Sequence, residues 1–285
     1  MSELTLRAVL AEATERLAAA GVPSPRADAE QLAAHVLATS RAALSAVSVL
    51  PAERARELAD LVDRRAARIP LQHLVGSVGF RHLELVVGPG VFIPRPETEV
   101  VAGWAIQALV GDALPAPVVV DLCTGSGAIA AAIAMEVPSA TVHAVEIDDG
   151  AVRWARRNLD GTGVLLHHAD ARDALPELDD LVDLVVSNPP YVPTGERDLV
   201  DREVRDHDPA LALWSGADGL DLLTAVVRRS ERLLRPGGRL VVEHSDRQGE
   251  SAAAVVHAAE CWDDIRDHHD LTGRPRFVTA RKAAR

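Results

Sequence analysis

Lysine is almost missing. The chain has 285 residues and 30 basic side chains, of which Lys282 alone is not arginine. A phosphate-binding loop needs a lysine after its glycines, and Schiff-base chemistry needs one in a pocket; a single lysine near the carboxyl end serves neither. Cysteine is nearly as scarce. Cys123 and Cys261 are too few for a disulfide framework or a zinc cluster, and no metal site is expected. No apolar run reaches the roughly 18 residues of a membrane span, so no membrane association is expected. Met1-Ser2-Glu3-Leu4 lacks the basic opening of a secretory leader, which points to a cytoplasmic protein. Positive charge is also short, with 42 acidic residues giving a net −12. Residues 1–80 hold nine arginines against nine acids, so the whole excess falls in 81–285. Nucleic-acid binding draws on counterion release at a basic surface, and an acidic working domain is a poor platform for it.

What is present is an ordinary globular mixture, 48% hydrophobic and 25% charged, enough to bury a sizeable core. Leu4, Leu6, Val9, Leu10, Ala13 and Leu17 recur at helical spacing until Gly21 and Pro23. Ser24-Pro25 reads as a helix start, Pro51 opens a third helix and Pro70 ends it. Residues 1–76 therefore read as a small all-α domain. Residues 77–96 read as a β-hairpin linker, with strands over Phe80–Val87 and Val91–Ile93 and a turn at Gly88-Pro89-Gly90. From there to residue 285 strands and helices alternate. Strands are predicted at Val118–Leu122, Thr141–Glu146, Val164–Leu166, Leu181–Val186, Arg239–Glu243 and Phe277–Ala280. That alternation implies an α/β fold with an open, mostly parallel sheet.

Two motifs carry chemistry. The first, Asp121-Leu122-Cys123-Thr124-Gly125-Ser126-Gly127-Ala128, joins a strand to a helix. Its glycines allow a tight turn on which a ligand can lie against bare backbone. Glu146 follows at the tip of the next strand, where a carboxylate can accept hydrogen bonds from a ribose diol. The pattern serves NAD or S-adenosylmethionine; the short loop, with Asp121 before the glycines and no pyrophosphate to cradle, favours the latter. The second is Ser187-Asn188-Pro189-Pro190-Tyr191 at the end of a strand. Two prolines stop the strand and donate no N–H, leaving their carbonyls as acceptors. With the Asn188 side chain and the flat face of Tyr191, they make a pocket for a planar –NH2 group. An amide nitrogen is a poor nucleophile because its lone pair is delocalised. Acceptors gripping its protons can aim that lone pair and stabilise the charge growing on nitrogen.

These motifs do not stand alone. Pro70-Leu71-Gln72-His73-Leu74-Val75-Gly76, the run Gly90-Val91-Phe92-Ile93-Pro94-Arg95-Pro96-Glu97-Thr98-Glu99, and the segments His207–Leu213, Gly216–Leu220, Leu234–Gly238, Glu243–Glu250 and Asp270–Arg276 accompany them. Together they resemble the peptide chain release factor glutamine methyltransferases. The resemblance implies a Rossmann-like class I methyltransferase fold with a seven-stranded sheet behind a helical domain that docks the substrate. It implies methyl transfer from S-adenosylmethionine to N5 of the glutamine in the Gly-Gly-Gln loop of bacterial class 1 release factors. Cys123, Thr124, Gly125, Ser126 and Gly127 would then cradle the methionine part of the cofactor and Glu146 its ribose. Asp170 and Ala171 would lie near the adenine. Asn188 would meet both cofactor and glutamine, and Pro189, Pro190 and Tyr191 would line the glutamine site.

Two positions depart from the family. Cys123 stands where glycine is common, which a negative φ would tolerate, and Ala171 replaces an aromatic residue. Arg95 and Glu97 either shape the pocket or form a surface ion pair on a rigid loop. Adjacent histidines His167-His168 and His268-His269 would point to opposite faces of a strand and cannot chelate. The charged run Glu196–Asp208 is either a solvated loop or a substrate-facing segment. The alternative activity is methylation of an amino group on a nucleic acid base, adenine N6 or guanine N2, which the acidic charge disfavours.

Overall fold

The computed structural model describes residues 4–284; Met1-Ser2-Glu3, read above for a leader, and Arg285 lie outside the described residues. The chain forms two compact units, one made of the residues up to Ser77 together with Asp201–His207, the other of Val78–Val200 and the residues from Asp208 onward.

The first unit is helical: Leu6–Ala19, Pro25–Val36, Ala52–Ala66 and the short Leu71–Val75. Leu6, Leu17, Leu32 and Leu58 form its dry centre. Thr5 caps the first helix by accepting from the Ala8 N–H. Ser24 makes no such bond, so the fixed φ of Pro25, not a hydroxyl, sets the second helix start. Arg65 is buried in this unit and needs acids. Asp28 meets it at 2.8 Å and Glu203 at 2.9 Å, and Arg68 also reaches Glu203 at 2.6 Å. Glu203 lies on the short helix Arg202–His207, so the charged run after the second motif is in part a structural piece of the helical unit.

The second unit holds a seven-stranded sheet: β1 (Val118–Leu122), β2 (Thr141–Glu146), β3 (Leu165–His168), β4 (Val182–Ser187), β5 (Leu234–Glu243), β6 (Trp262–His269) and β7 (Pro275–Lys282). Their spatial order is β6-β7-β5-β4-β1-β2-β3. β7 runs antiparallel to both β5 and β6, and the other pairings are parallel. Helices Ala128–Glu136, Asp149–Asn158, Asp221–Leu233 and Gly249–His257 form the crossovers. Successive residues along a strand enter opposite cores: Val119 and Leu184 join one, Val120 and Val185 the other. Both faces are thus covered, as a parallel sheet requires. The fold is the α/β seven-stranded arrangement anticipated above.

Two local expectations are corrected. The hairpin pairs Ser77–Phe80 with Leu83–Val86, and its turn falls at Arg81-His82, where Arg81 takes a φ of +52°. Gly88-Pro89-Gly90 is instead a loop pressed on the helix Asp149–Asn158: a Cβ at Gly88 would stand 2.6 Å from the Trp154 ring, and the Trp154 indole donates to the Pro89 carbonyl at 3.2 Å. Gly88 thus serves a close approach, while Gly90, with φ +89° and nothing near a would-be Cβ, serves a turn at Pro89-Gly90 that does not join the two hairpin strands. The second correction is β6, which was not anticipated because Trp262–His269 is polar and sits at the sheet edge.

Candidate active site

Chain order reverses in space between β1 and β4, whose carboxyl ends open a crevice where ligands of such sheets bind. Register brings the motifs there together. Leu122 pairs with Val145 on one side and with Ser187 on the other. The glycine loop, Glu146 and Asn188 therefore leave three adjacent strands at one level. Ser187 pairs with Val242 on β5, which puts Glu243 beside Asn188.

The glycine loop is built around buried acids. Asp121 is wholly buried, accepts from the Thr124 hydroxyl at 2.6 Å and from the Ala130 N–H at 3.1 Å, and keeps its other oxygen without a partner. Burial raises its pKa to about 7 against those two hydrogen bonds. Glu146 accepts the Ile147 and Asp148 N–H groups on one oxygen, each at 2.9 Å, and the Gly125 N–H on the other at 2.8 Å. Burial still holds its pKa above the ordinary value. Each carboxylate oxygen offers about two acceptor directions, so the open one for a ligand hydroxyl is on the oxygen that holds Gly125.

Gly125 and Gly127 take φ of +58° and +86°. A Cβ on Gly127 would also press on the Leu159 side chain at 2.9 Å. Cys123 has φ +63°, so the negative φ that would have excused it is not what it adopts. It occupies a left-handed position at a cost a glycine would not carry. Burial pushes its thiol pKa up, away from reactivity. Ser126 is buried and its carbonyl accepts from Asn158, whose side chain also exchanges two hydrogen bonds with the Val86 backbone. Asn158 thereby ties the hairpin to the glycine loop.

Asp170 closes the turn after β3 by accepting from the backbone and side chain of Arg172. Ala171 is buried and packs in the core with Leu175 and Val145.

Pro189 and Pro190 are buried, and no N–H or O–H among the described residues reaches their carbonyls. Tyr191, the chain's only tyrosine, is half-buried. Its own carbonyl takes the Gln248 amide at 3.0 Å, and Gly219 is pressed so closely on that carbonyl that a Cβ would collide with it. The next residue, Val192, pairs with the Leu213–Ser215 segment. The segments 207–213 and 216–220 thus anchor the loop.

Arg95 points to Asp208, 2.7 Å away, with its guanidinium 4.9 Å from the Phe92 ring centre. The Asp208 side chain is 1% exposed, and burial raises its pKa to about 6 despite Arg95. Arg95 is therefore engaged in a largely buried pair. Glu97 is half-buried, and its charge acts on Tyr191 and Glu243.

Two further residues belong to this cluster. The Asn188 side-chain amide donates to the Thr98 hydroxyl at 3.2 Å. Glu243, 1% exposed, has one oxygen without a partner, and the Thr98 and Tyr191 hydroxyls act on its carboxyl to lower its pKa. Burial raises its pKa to about 7, with Arg276 opposing. Thr98 lies within the Pro-Arg-Pro-Glu-Thr run, and Glu243 is a lone acid ending an apolar strand. That second pattern is the signal by which sequence reasoning could have found it. The paired histidines stay within the sheet: His167 contacts His143 at 3.1 Å and His268 stacks on Phe277 at 4.7 Å. Among the described residues no group of three or more His, Cys, Asp or Glu could hold a metal ion, and no helix is long and apolar enough to cross a membrane.

Residues 8–76 match the PrmC N-terminal domain model and residues 97–208 the methyltransferase small domain model. A release factor glutamine methyltransferase of Streptomyces coelicolor is 55% identical over 98% of this chain and 98% of its own length. One of Mycolicibacterium smegmatis is 51% identical over 98% and 99%. A 4-amino-L-phenylalanine/4-methylamino-L-phenylalanine methyltransferase of Streptomyces pristinaespiralis is 43% identical over 90% and 89%. With identity at this level over nearly the whole chain, and a glycine loop, the buried acid Glu146 and the Asn-Pro-Pro-Tyr turn at the carboxyl ends of adjacent strands, the chain belongs to the release factor glutamine methyltransferase family, and it is a methyltransferase.

Proposed function

We propose that this enzyme methylates the side-chain amide nitrogen N5 of the glutamine in the Gly-Gly-Gln motif of bacterial peptide chain release factors, with S-adenosylmethionine as methyl donor. The observation that carries this reading is the acceptor-rich turn at Asn188-Pro189-Pro190-Tyr191, level with the glycine loop and Glu146. S-adenosylmethionine supplies a methyl group on a sulfonium cation, an electrophile that needs no further activation. The residues present suit it. Within Cys123–Gly127, Gly125 and Gly127 offer bare, left-handed backbone, Glu146 keeps an acceptor site open, and Asp121 at the foot of the loop has an unpartnered oxygen.

The protein's own task is orientation. The Asn188 side-chain carbonyl and the Pro189 carbonyl accept the two amide hydrogens of a carboxamide. The flat face of Tyr191 and the ring of Pro190 hold its plane, and the lone pair is turned toward the methyl group. As the nitrogen–carbon bond forms the methyl–sulfur bond breaks, leaving a neutral thioether; the positive charge growing on nitrogen meets acceptors already in place, and one amide proton is then released to solvent, with no dedicated general base. Asp170 and Ala171 complete the adenine end, and Glu97 borders the glutamine pocket. Arg95 supports the same wall through Asp208. The enzyme works in the cytoplasm, where its release factor partners are.

Incubating the enzyme with purified release factor and donor, then mass spectrometry of the Gly-Gly-Gln peptide, tests the assignment. One added methyl on that glutamine is expected; an unmodified glutamine with full cofactor binding would refute the substrate. The relative named for 4-amino-L-phenylalanine favours a second reading, an aromatic amine acceptor, because that group too is a planar –NH2. The free amino acid in a parallel assay separates the two.

A further inference from the structure

Asn side chains have two ends, and only one of them grips an amide –NH2. If Asn188 turned its own –NH2 into the pocket, donor would face donor and the substrate amide would be repelled. Something must fix the flip. On its protein side Asn188 meets Thr98 Oγ1 at 3.2 Å. A hydroxyl there could donate or accept, so Thr98 alone settles nothing. Glu243 settles it. Its buried carboxylate has one oxygen without a partner and, when ionised, only accepts; the Thr98 and Tyr191 hydroxyls are among the groups that draw its pKa down. If the Thr98 hydroxyl gives its hydrogen to that carboxylate, its oxygen can only accept, and what it accepts is the Asn188 N–H at 3.2 Å. The Asn188 carbonyl is left facing the crevice.

We infer that Thr98 and Glu243 form a positioning relay that locks Asn188 with its carbonyl toward the acceptor substrate, so that the site selects molecules offering a planar –NH2. Register supports it independently. Ser187 pairs with Val242, so Glu243 stands level with Asn188, and Thr98 reaches both from the first turn of the helix Pro96–Asp112. The groups facing Glu243 are Tyr191 after β4, Arg276 on β7, and Thr98 and Glu97 on that helix. Neither Thr98 nor Glu243 touches the reacting atoms in this scheme; both act through Asn188. The inference rests on the amide-methylating assignment for its activity readout, but not for its structural one.

The chain contains two asparagines, Asn158 and Asn188, so asparagine-selective 15N labelling gives two side-chain amide signals. Asn158 is the internal reference, fully bonded to Val86 and Ser126. In the free enzyme, Thr98→Val is expected to speed hydrogen exchange of the Asn188 amide at least tenfold and leave Asn158 unchanged. Thr98→Ser restores protection. In turnover on release factor, Thr98→Val and Glu243→Gln are expected to lower kcat at least tenfold with the donor Kd within threefold, and Thr98→Ser recovers most of the rate. Unchanged Asn188 exchange in folded Thr98→Val, or kcat within twofold of the parent, overturns the relay. If the parent enzyme leaves the release factor unmodified while Asn188 protection still depends on Thr98 and Glu243, the substrate assignment fails and the relay stands.

Discussion

Asn188 and Thr98, ninety positions apart, are joined by one 3.2 Å hydrogen bond, and through it the turn after β4 is tied to the first turn of the helix Pro96–Asp112. In the proposed scheme this bond leaves the Asn188 carbonyl for the substrate, so the residue's contribution is expected in turnover more than in donor binding.

Asn188→Ala is expected to keep donor affinity within a few-fold while kcat falls roughly a hundredfold to a thousandfold, the usual loss when one preorganised polar contact to the transition state is removed. Calorimetry with the donor and a methyl-transfer assay check the two halves separately. Near-normal turnover contradicts the gripping role.

Activity and stability are expected to move in opposite directions with pH. Glu243 must be ionised to hold Thr98, and its pKa is raised to about 7, so kcat at saturating donor falls as pH drops through about 7. Stability runs the other way. The buried carboxyls Asp121 and Glu243 are raised from 3.8 and 4.5 to about 7, and Asp208 from 3.8 to about 6. The folded state then binds protons that the unfolded chain has released. Their contribution is fully present below their ordinary values and is lost as pH rises through 6 to 7. Denaturation midpoints at pH 5 and pH 8 and a kcat profile test both signs; a flat kcat profile between them removes Glu243 from the argument.

Gly127→Ala is expected to destabilise the enzyme by about 2 kcal/mol, from left-handed strain and crowding against Leu159. At Cys123 the strain is already present. Cys123→Gly relieves it but loses side-chain packing and adds unfolded-state freedom, so a net change within about 1 kcal/mol is expected. Urea denaturation distinguishes these, and a Gly127→Ala protein as stable as the parent would show that the loop can relax.

Arg95→Ala strands the buried Asp208. The usual loss for breaking a buried pair, about 3–5 kcal/mol, is reduced here because Arg95 is partly exposed, so about 2 kcal/mol is expected at pH 8. The loss shrinks below about pH 6, where Asp208 is protonated. A pH-independent loss would mean that Arg95 acts by packing on Phe92.

The glycine loop, Glu146 and the Asn-Pro-Pro-Tyr turn were legible because each is local: a strand, a breaker and a helix in sequence. Long-range partners were not. Thr98 was in plain view in a proline-flanked run, but its service to Asn188 depends on a helix and a strand end meeting across the sheet. At Cys123 a negative φ is the expectation because a Cβ is costly in the left-handed region, and the tight turn overrides that preference. Gly88-Pro89-Gly90 looked like a reversal because glycine signals both turns and close contacts. Here Gly88 makes the close contact, against the Trp154 ring, and Gly90 makes the turn with φ +89°. β6 escaped because an edge strand has little apolar pattern to read.

Glu203 gives Arg65 and Arg68 their shared acid from a stretch of chain more than a hundred positions beyond them. The helical bundle is thus completed by a distant segment, and a chain ending at Ser77 would lack it. Grafting this bundle onto another catalyst would therefore call for an insertion that carries Asp201–His207 as well, and simple head-to-tail fusion would not suffice.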